Sequence, residues 1–471
     1  MGLYLTPQVQ SNTEYHRGLT GLLSETLWLS LNSVLKYLKG NTESMNNSLL
    51  QIKKLITTHY KNLVINPNQE IELQPLNILI GANGSGKSNL ISVLKFLQDC
   101  VTPTDGIQGV TAYQQAVINQ LGGSQLLDGH LPYPANATYL FELTDNKTLP
   151  CLRFEITLHA KDTMSIPFIL EESLYHHQAE PFYYYRCHHK QTGMGVVSIN
   201  DETQKGTHFE EITGVPTNEF TLLAIPKLLE ESHFAPENAP IYKARRRLLE
   251  TVQEWRFYNA NEMSLKAIRD AYPKIGANDI FLSATGENLP LVLDNLMQHP
   301  TYGVDFEEHI NHAMKSILPN TRKIKTARSN LSLAVQWHFE EMREPFYLSE
   351  LSDGSVRMLC WATLLHSPIL PTLLVIDEPE LGLHVAWMQI LAEWIKNAAH
   401  KTQVMISTHS PDLLDYFTDS AKNVLRFERQ DKSHFMVKPL STSALSSKIE
   451  EGWQLGDLYR IGDPDLGGWP W

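Results

Sequence analysis

The chain has 471 residues, a formal net charge of −13, 42% hydrophobic residues and 19% charged residues. These values are typical of a folded globular protein, and they argue against a disordered chain or a protein that coats nucleic acid through bulk positive charge. No apolar run is long enough to cross a bilayer, the N-terminus lacks a charged-then-apolar leader pattern, and the four cysteines form no C-x-x-C pair. The sequence therefore predicts a cytoplasmic protein with no membrane contact and no disulfide framework.

The first region, residues 1–50, is predicted to be an N-terminal extension. Its apolar residues between positions 19 and 38 recur at helical spacing, which predicts an amphipathic helix. No function is assigned to it.

Residues 51–210 are predicted to form a first lobe. "KNLVI" (61–65) and "IELQPLNILI" (71–80) have strand-like patterns, and the second runs directly into "GANGSGKSN" and then a predicted helix, "LISVLKFLQDC". Residues 138–200 alternate apolar and polar side chains in short runs, which predicts antiparallel strands and hairpins.

Residues 211–330 are predicted to form an inserted helical domain, and residues 331–471 a second lobe. The second lobe alternates predicted strands ("LSLAVQWHF", "TLLVID", "TQVMIST") with helices. Such alternation with buried strands indicates an α/β fold, in which helices cover a mixed or parallel sheet. The predicted fold adds an antiparallel β lobe and the helical insertion to this sheet.

The segment GANGSGKS (81–88), called here the phosphate loop, fits the pattern G-x-x-x-x-G-K-[ST] between a strand and a helix. Its glycines let backbone N–H groups surround a phosphate, Lys87 supplies a positive charge, and the Ser88 hydroxyl suits the oxygen shell of Mg²⁺. The candidate nucleotide-binding residues are Gly81, Asn83, Gly84, Ser85, Gly86, Lys87, Ser88 and Asn89.

Acidic and imidazole side chains follow two later predicted strands. Asp377 and Glu378 end the strand in "TLLVIDEPE", and His409 follows the strand in "VMISTHSP". Asp377 is a candidate Mg²⁺ ligand, and Glu378 is placed to orient or deprotonate an attacking water. His409 is a candidate sensor of the terminal phosphate.

The segment "LSDGS" (351–355) is predicted to open a helix. Ser352 has the character of an N-cap, and Gly354 allows close approach of another group. A helix N-terminus with a serine hydroxyl and a glycine N–H can hold an anion, although by itself the segment is more typical of an ordinary capped helix.

The set "GANGSGKS", "LSDGSVR", "LLVIDEPELGLH" and "ISTHSP" resembles the ABC-class ATPases, and more narrowly the RecF/SMC-like branch. That branch includes predicted AAA-type ATPases related to the ATPase half of OLD-family proteins. The phrases "ATGENLPLVLDNL" and "DLGGWPW" are similar to the same branch. The resemblance covers about residues 50–471 and implies an ABC-type P-loop NTPase head that uses ATP and Mg²⁺.

The resemblance also implies an assembly. In such families, the signature serine and glycine of one subunit complete the ATP site of another, which would give Ser352 and Gly354 a role in trans, with Arg357 supporting them. It implies catalysis by Lys87, Glu378 and His409, and a homodimer or higher homo-oligomer. It further implies a separate effector partner, a nuclease, in anti-phage defence.

Several other functions fit the sequence less well or remain open. The long stretch between Ser88 and Leu351 disfavours a transporter ATPase, and the absence of a heptad pattern disfavours a coiled-coil DNA clamp. Asp463 and Asp465 form D-x-D without an accompanying acidic set, which disfavours a fused nuclease. A RecF-like ATPase acting directly on DNA and a non-hydrolysing interaction scaffold remain as alternatives.

Two features bear on DNA and on a further metal. Basic residues cluster at Lys243 and 245–247 on a predicted helix, and between Arg322 and Arg328 in a predicted loop, so DNA contact is possible, although such runs are usually solvated. The segment 175–190 offers histidines and a cysteine across a predicted hairpin, but their spacing matches no standard zinc finger.

Overall fold

The computed structural model describes residues 50–65, 71–102, 109–120, 126–145, 151–163, 165–177, 180–189, 193–198, 209–231, 239–274, 276–329 and 332–467. The helix predicted within residues 1–50 lies outside these ranges. Residues Leu49–Trp471 form one compact unit, and the lobe boundaries near 210 and 330 remain a prediction.

The described strands and helices alternate in the second half of the chain as predicted. The strands are β1 Gln51–Tyr60, β2 Leu63–Ile65, β3 Leu76–Ile80, β4 Ala135–Thr144, β5 Cys151–Ala160, β6 Phe168–His177, β7 Phe182–His188, β8 Met194–Ser198, β9 Phe209–Thr213, β10 Arg256–Asn259, β11 Thr321–Ser329, β12 Ser332–Phe339, β13 Phe346–Tyr347, β14 Leu373–Asp377, β15 Gln403–Ser407, β16 Val424–Arg429 and β17 Phe435–Pro439. The helices are α1 Lys87–Val101, α2 Ala112–Asn119, α3 Thr221–Glu231, α4 Pro240–Gln253, α5 Leu265–Arg269, α6 Leu289–Met297, α7 Gly303–Ile317, α8 Asp353–Leu365, α9 Met388–Ala399, α10 Pro411–Asp415, α11 Thr442–Glu450 and α12 Leu455–Arg460.

Within the described ranges, one large sheet has the strand order β10-β14-β15-β3-β16-β17-β2-β1-β4-β5-β6-β7-β8-β9. The strands from β10 to β16 pair in parallel, and those from β1 through β4 to β9 pair antiparallel. A smaller antiparallel sheet has the order β11-β12-β13. The predicted mixed α/β fold with an antiparallel lobe is thus confirmed.

The central parallel strands are buried on both faces, which explains their unbroken apolar sequences. In β14, Leu373 and Val375 pack into one hydrophobic cluster, whereas Leu374 and Ile376 pack into the cluster on the opposite face. Strand β3 alternates in the same way. The first cluster includes α1 and α4, and the second includes α8 and α9.

Parallel pairing brings the carboxyl ends of four central strands to one edge of the sheet. Asp377 of β14 lies level with Asn259 of β10 on one side and with Ser407 of β15 on the other, and Ser407 lies level with Leu79 of β3. This edge is where open α/β sheets place their ligands.

Two sequence predictions need correction. Arg256–Asn259 is a strand inside a stretch predicted to be mainly helical. Its four residues pair in parallel with β14, and this pairing, which the local sequence does not show, determines its conformation. Residues 321–329 were predicted as a loop but form strand β11, whose register with β12 is held by backbone pairing along its length.

The predicted insertion, 211–330, does not pack apart from the sheet. The Gln98 side chain on α1 donates hydrogen bonds to the carbonyls of Val252 (3.1 Å) and Trp255 (2.7 Å) at the end of α4. Strand β10 joins the large sheet directly. The second half of the stretch, α6 and α7, packs into the cluster shared with α8.

Among the described helices, none combines the length and the apolar composition that crossing a membrane requires.

Candidate functional site

The phosphate loop folds as a tight turn that needs its glycines. Gly81, Gly84 and Gly86 have φ values of 149°, 74° and 94°, a region that favours glycine. A Cβ on Gly81 would lie 2.8 Å from Ser85 Oγ and 3.0 Å from the Phe427 carbonyl oxygen, so this position also has no room for a side chain.

The loop is built as an anion cradle at the N-terminus of α1. The helix begins at Lys87, and no side chain caps its first turn, so its N–H dipoles are free to face a ligand. Ser85 is buried, and its hydroxyl has no hydrogen-bond partner among the described residues. Ser88 is exposed. An uncapped helix end, an unpaired buried hydroxyl and the absence of Cβ atoms fit a bound phosphate.

Lys87 is held inside the loop by its backbone carbonyls. Its Nζ donates to the carbonyl oxygens of Gly81 (2.8 Å) and Ala82 (3.0 Å). Burial lowers the pKa of Lys87 to about 8, although the carboxylates of Asp377 and Glu378 oppose the shift. An anionic ligand would restore a favourable environment for the charged ammonium.

Asp377 is anchored by neighbouring strands. The Ser407 hydroxyl donates to one carboxylate oxygen, and Asn259 Nδ2 lies 3.3 Å from the other. Burial raises the pKa of Asp377, the Ser407 hydrogen bond lowers it, and the adjacent Glu378 carboxylate raises it further. The site concentrates negative charge that a cation would stabilise.

Glu378 leaves the strand in a left-handed conformation, with φ of 54°. Its N–H is held by the Ser407 carbonyl and hydroxyl oxygens, both at 3.2 Å. Asn261 Nδ2 donates to one carboxylate oxygen at 3.0 Å, and His409 Nε2 lies 3.6 Å from the other. The strained backbone conformation thus accompanies a carboxylate that lies close to His409.

His409 is kept neutral by its surroundings. Burial lowers its pKa, the Lys87 ammonium lowers it further, and Glu378 opposes the shift. Lys87, Asp377, Glu378 and His409, predicted from three separate segments, are therefore electrostatically coupled in one place.

Glu380 organises the His409 segment and was missed in the sequence analysis. Its Oε1 accepts hydrogen bonds from the Thr408 hydroxyl (2.6 Å) and from the N–H groups of His409 (3.0 Å) and Ser410 (3.2 Å). Glu380 is the last residue of "DEPE" (377–380). Nothing in that pattern shows that its carboxylate contacts residues 408–410, which follow strand β15. Asn259, the last residue of β10, and Asn261, which follows that strand, were missed because the strand itself was not predicted.

We expect Glu380→Ala to destabilise the fold and to lower any activity that depends on His409. The Thr408 hydroxyl and the His409 N–H would lose this acceptor, whereas the Ser410 N–H keeps the Thr408 hydroxyl oxygen at 3.0 Å, so the loss costs roughly 2 kcal/mol in the free energy of unfolding. Glu380→Gln keeps the acceptor oxygen and should cost less. Urea unfolding of both variants measures the difference; equal stability of Glu380→Ala and wild type would contradict this role.

The corner at 351–354 is a capped helix start. The exposed Ser352 accepts a hydrogen bond from the Ser355 N–H at 3.2 Å, as an N-cap does. Arg269 Nη2, which the sequence analysis did not identify, bonds the Leu351 carbonyl at 2.8 Å and Asp353 Oδ1 at 2.5 Å. The corner is therefore fixed in place by contacts within the chain.

Gly354 and Arg357 pack within the chain. A Cβ on Gly354 would lie 2.8 Å from the Trp387 ring, so any side chain here would have to displace that ring. The buried Arg357 side chain donates to the Ala260 carbonyl. The predicted action of Ser352 and Gly354 on a neighbouring subunit stays a prediction.

Neither basic cluster forms a uniform positive face. Arg245 Nε bonds the Leu222 carbonyl at 2.6 Å, and Arg247 pairs with Asp145 at 2.8 Å, which leaves Lys243 and Arg246 exposed on α4. On β11, Lys323 pairs with Glu307 at 2.6 Å and Arg328 with Asp294 at 3.1 Å. DNA contact through either cluster remains a prediction.

The segment 175–190 does not gather its histidines and cysteine, as far as its described residues show. His188 Nδ1 pairs with Glu171 at 2.8 Å, while burial raises the pKa of Cys187 to about 12, which keeps the thiol protonated.

Asp463 and Asp465 both accept hydrogen bonds from Lys448 Nζ (2.8 Å and 2.7 Å), so this D-x-D forms an ion-pair cluster.

A family model described as "AAA domain, putative AbiEii toxin, Type IV TA system" matches residues 76–415, well over half of the chain. The chain belongs to this AAA-domain family. The match extends from β3 to the end of α10 and so includes the phosphate loop, the corner, Asp377, Glu378 and His409. The predicted AAA-type domain is thereby confirmed. Curated protein sequences give no match.

Solved structures of SMC head domains are also similar. An Smc head bound to the C-terminal winged-helix domain of ScpA is 13% identical, with a TM-score of 0.46, covering 83% of this chain and 99% of that one. An Smc head derived from Pyrococcus furiosus, with an extended coiled coil and bound to the C-terminal domain of ScpA, is 13% identical, with a TM-score of 0.42 and coverages of 86% and 99%. The SMC head from Thermotoga maritima is 13% identical, with a TM-score of 0.41 and coverages of 83% and 99%. These TM-scores are too low to carry an inference about partners or activity.

Proposed function

We propose that the chain binds ATP with Mg²⁺ and hydrolyses it to ADP and phosphate. The observation that carries this proposal is the convergence of four groups at one sheet edge. Lys87, Asp377, Glu378 and His409 follow β3, β14 and β15. Asp377 and Glu378 influence the pKa of Lys87, and Lys87 and Glu378 influence the pKa values of Asp377 and His409. Membership of the AAA-domain family supports the same activity.

The phosphate loop supplies the binding site for the nucleotide. Backbone N–H groups at the uncapped start of α1, the unpaired Ser85 hydroxyl and Lys87 would contact the β- and γ-phosphates. The exposed Ser88 hydroxyl and the Asp377 carboxylate are oxygen donors of the type that Mg²⁺ prefers, so these residues fit the ion. When bound, Mg²⁺ neutralises charge that develops on the phosphate oxygens.

Glu378 is the group we assign to the attacking water. Asn261 bonds one of its carboxylate oxygens. The other lies 3.6 Å from His409 Nε2, beyond hydrogen-bond distance, and would accept a proton from water. His409, favoured in its neutral form, would donate a hydrogen bond to the terminal phosphate. Glu380 would position His409 through the backbone of the 408–410 segment.

ATP would act between two copies of the chain. In this proposal, Ser352 and Gly354 of one subunit cap the γ-phosphate bound by another, so ATP closes a homodimer and hydrolysis releases it. The exposed, preformed helix start at Ser352 supports the arrangement, since its own hydrogen bonds are local to α8. A higher homo-oligomer would use the same contact.

The ATPase would control a separate effector, a nuclease, in anti-phage defence. Support comes from the family description, which refers to a putative toxin of a toxin–antitoxin system, and from the sequence resemblance to defence ATPases. Co-purification of the full chain with the product of a neighbouring gene tests this. Recovery of the chain alone, under conditions that preserve an ATP-bound state, would count against an effector complex.

Phosphate release from ATP by the purified chain tests the hydrolytic proposal. We expect Mg²⁺-dependent release in the wild type and none in Lys87→Ala, because that variant loses the charge that binds the phosphates. Lys315→Ala is the matched control, since Lys315 lies at the surface and pairs only with Glu340 (3.1 Å) among the described contacts. Nucleotide binding without release in the wild type would instead favour the interaction scaffold.

Nucleotide binding should take up a proton above about pH 8. The pKa of Lys87 is lowered to about 8, so at lower pH the ammonium is already charged and no uptake is expected. At higher pH the neutral amine predominates until phosphate oxygens raise its pKa, and binding then captures up to about one proton. Calorimetry in buffers of different ionisation enthalpy measures this uptake.

Lys87→Arg is the control for that measurement. Arginine stays charged throughout this pH range, so the variant should bind without proton uptake if it binds at all. Equal uptake by the wild type at pH 7 and pH 9 would contradict the assignment to Lys87.

A further inference from the structure

A second cluster of ionisable groups lies away from the sheet edge. Asp128, His130 and His434 each offer one ligand atom, and these atoms all lie within 4.8 Å of one another. Among the described residues, no other group of three or more histidine, cysteine or acidic side chains is gathered in this way. None of the three residues entered the sequence predictions.

The cluster joins distant parts of the chain. Asp128 is bonded through its N–H to the carbonyl of His59 at the end of β1 (2.9 Å), while His434 lies in the turn between β16 and β17. Asp128 Oδ1 contacts His130 Nδ1 at 3.1 Å, and Asp128 Oδ2 contacts His434 Nε2 at 2.7 Å. The carboxylate is buried, whereas His130 is exposed and opens the cluster to solvent.

His434 has a carboxylate at each ring nitrogen. Asp431 Oδ2 lies 2.9 Å from Nδ1, opposite the 2.7 Å contact between Nε2 and Asp128. A neutral imidazole carries one N–H, so it can donate to only one of these carboxylates and would present a lone pair to the other. The arrangement therefore requires a cation at the second nitrogen: either an additional proton or a metal ion.

We propose that Asp128, His130 and His434 bind a divalent transition-metal ion of the Zn²⁺ class. Imidazole nitrogens with one carboxylate are a ligand set that suits zinc. Two ligand atoms on one tetrahedral zinc ion lie roughly 3.3 Å apart, so the Asp128 contacts of 3.1 Å and 2.7 Å would lengthen slightly around an ion. Asp431, which also accepts the backbone N–H groups of Ser433 (2.7 Å) and His434 (2.8 Å), orients His434 as carboxylates do behind metal-bound histidines.

A short chain of hydrogen bonds links the neighbourhood of the cluster to helix α1. The Phe435 N–H, next to His434, bonds the Asn62 carbonyl at 2.9 Å, and the Asn62 side chain accepts from Asn89 on α1 at 2.6 Å. A bound ion would link the β16–β17 turn to the segment around Asp128. It would thereby stabilise the turn whose neighbour Phe435 bonds Asn62, the residue that contacts α1. Its nitrogen ligands distinguish it from the proposed Mg²⁺ site.

The test is a zinc titration of the full chain after chelator treatment, followed with a chromophoric competitor in excess Mg²⁺ and without nucleotide. We expect one Zn²⁺ bound per chain, lost in His130→Gln and in His434→Gln, and weakened about 10–100-fold in Asp431→Asn. His188→Gln is the matched control, because His188 also pairs with a carboxylate but lies outside the cluster. Cobalt substitution gives a second, optical readout.

His130 is exposed, so His130→Gln should fold, and its circular dichroism and urea unfolding would verify this. Wild-type protein that takes up no zinc, with His434 found as an imidazolium by NMR, would overturn the proposal and assign the cluster as a salt bridge. Zinc binding that is unchanged in both His130→Gln and His434→Gln would overturn it equally.

Discussion

Glu378→Gln should bind ATP as the wild type does and fail to hydrolyse it, with turnover lowered by about 10²–10⁴-fold. The amide cannot accept a proton from water, but its oxygen can still accept the hydrogen bond from Asn261 Nδ2, so the backbone and its neighbours should stay in place. Phosphate release measures turnover. Because ATP would then persist, size-exclusion chromatography with ATP should show a dimer that the wild type populates only transiently.

Glu393→Gln is the control for this prediction. Glu393 lies on the exposed face of α9, where its carboxylate bonds Gln389 Nε2 at 3.1 Å, so neutralising it should leave turnover unchanged. Undiminished turnover in Glu378→Gln would remove Glu378 as the base, and loss of turnover without ATP-dependent dimers would separate hydrolysis from assembly.

A mixture of two inactive variants should recover activity if the sites are shared between subunits. Lys87→Ala loses nucleotide binding, and Ser352→Arg blocks the surface offered to a neighbour. In a heterodimer, the intact Lys87 of one chain meets the intact Ser352 of the other, which restores one site. Random pairing would return about a quarter of the wild-type turnover, measured as phosphate release against the ratio of the two proteins.

The Ser352→Arg variant also loses a helix cap, which costs about 1 kcal/mol of stability. Ser441→Arg provides a matched control, because Ser441 is an exposed N-cap that accepts from the Ala444 N–H at 3.3 Å on α11. This control should lose similar stability and keep its turnover. No recovery in mixtures of two folded variants would argue for sites completed within one chain.

The central strands and the phosphate loop were predictable because local patterns determine them. Leu373–Asp377 and Gln403–Ser407 are short apolar runs that only a two-sided core can bury. The glycines of 81–88 have backbone angles that other residues rarely adopt, so the loop is readable without tertiary information. By contrast, β10 is too short to show a periodic pattern, and β11 carries charges on a strand whose register comes from pairing with β12.

The sequence by itself determined the candidate groups for the proposed chemistry: Lys87, Asp377, Glu378 and His409 stand in segments with recognisable spacing. Only the tertiary structure decided what holds them. Glu380 bonds a segment beyond the next strand, and Asn259 reaches Asp377 across a parallel pair. The contact between Asp128 and His434 likewise joins residues far apart in sequence. Hydrogen bonds between distant segments produce no periodic pattern in the sequence. They depend on strand order and register, which the local sequence does not encode, rather than on neighbouring residues.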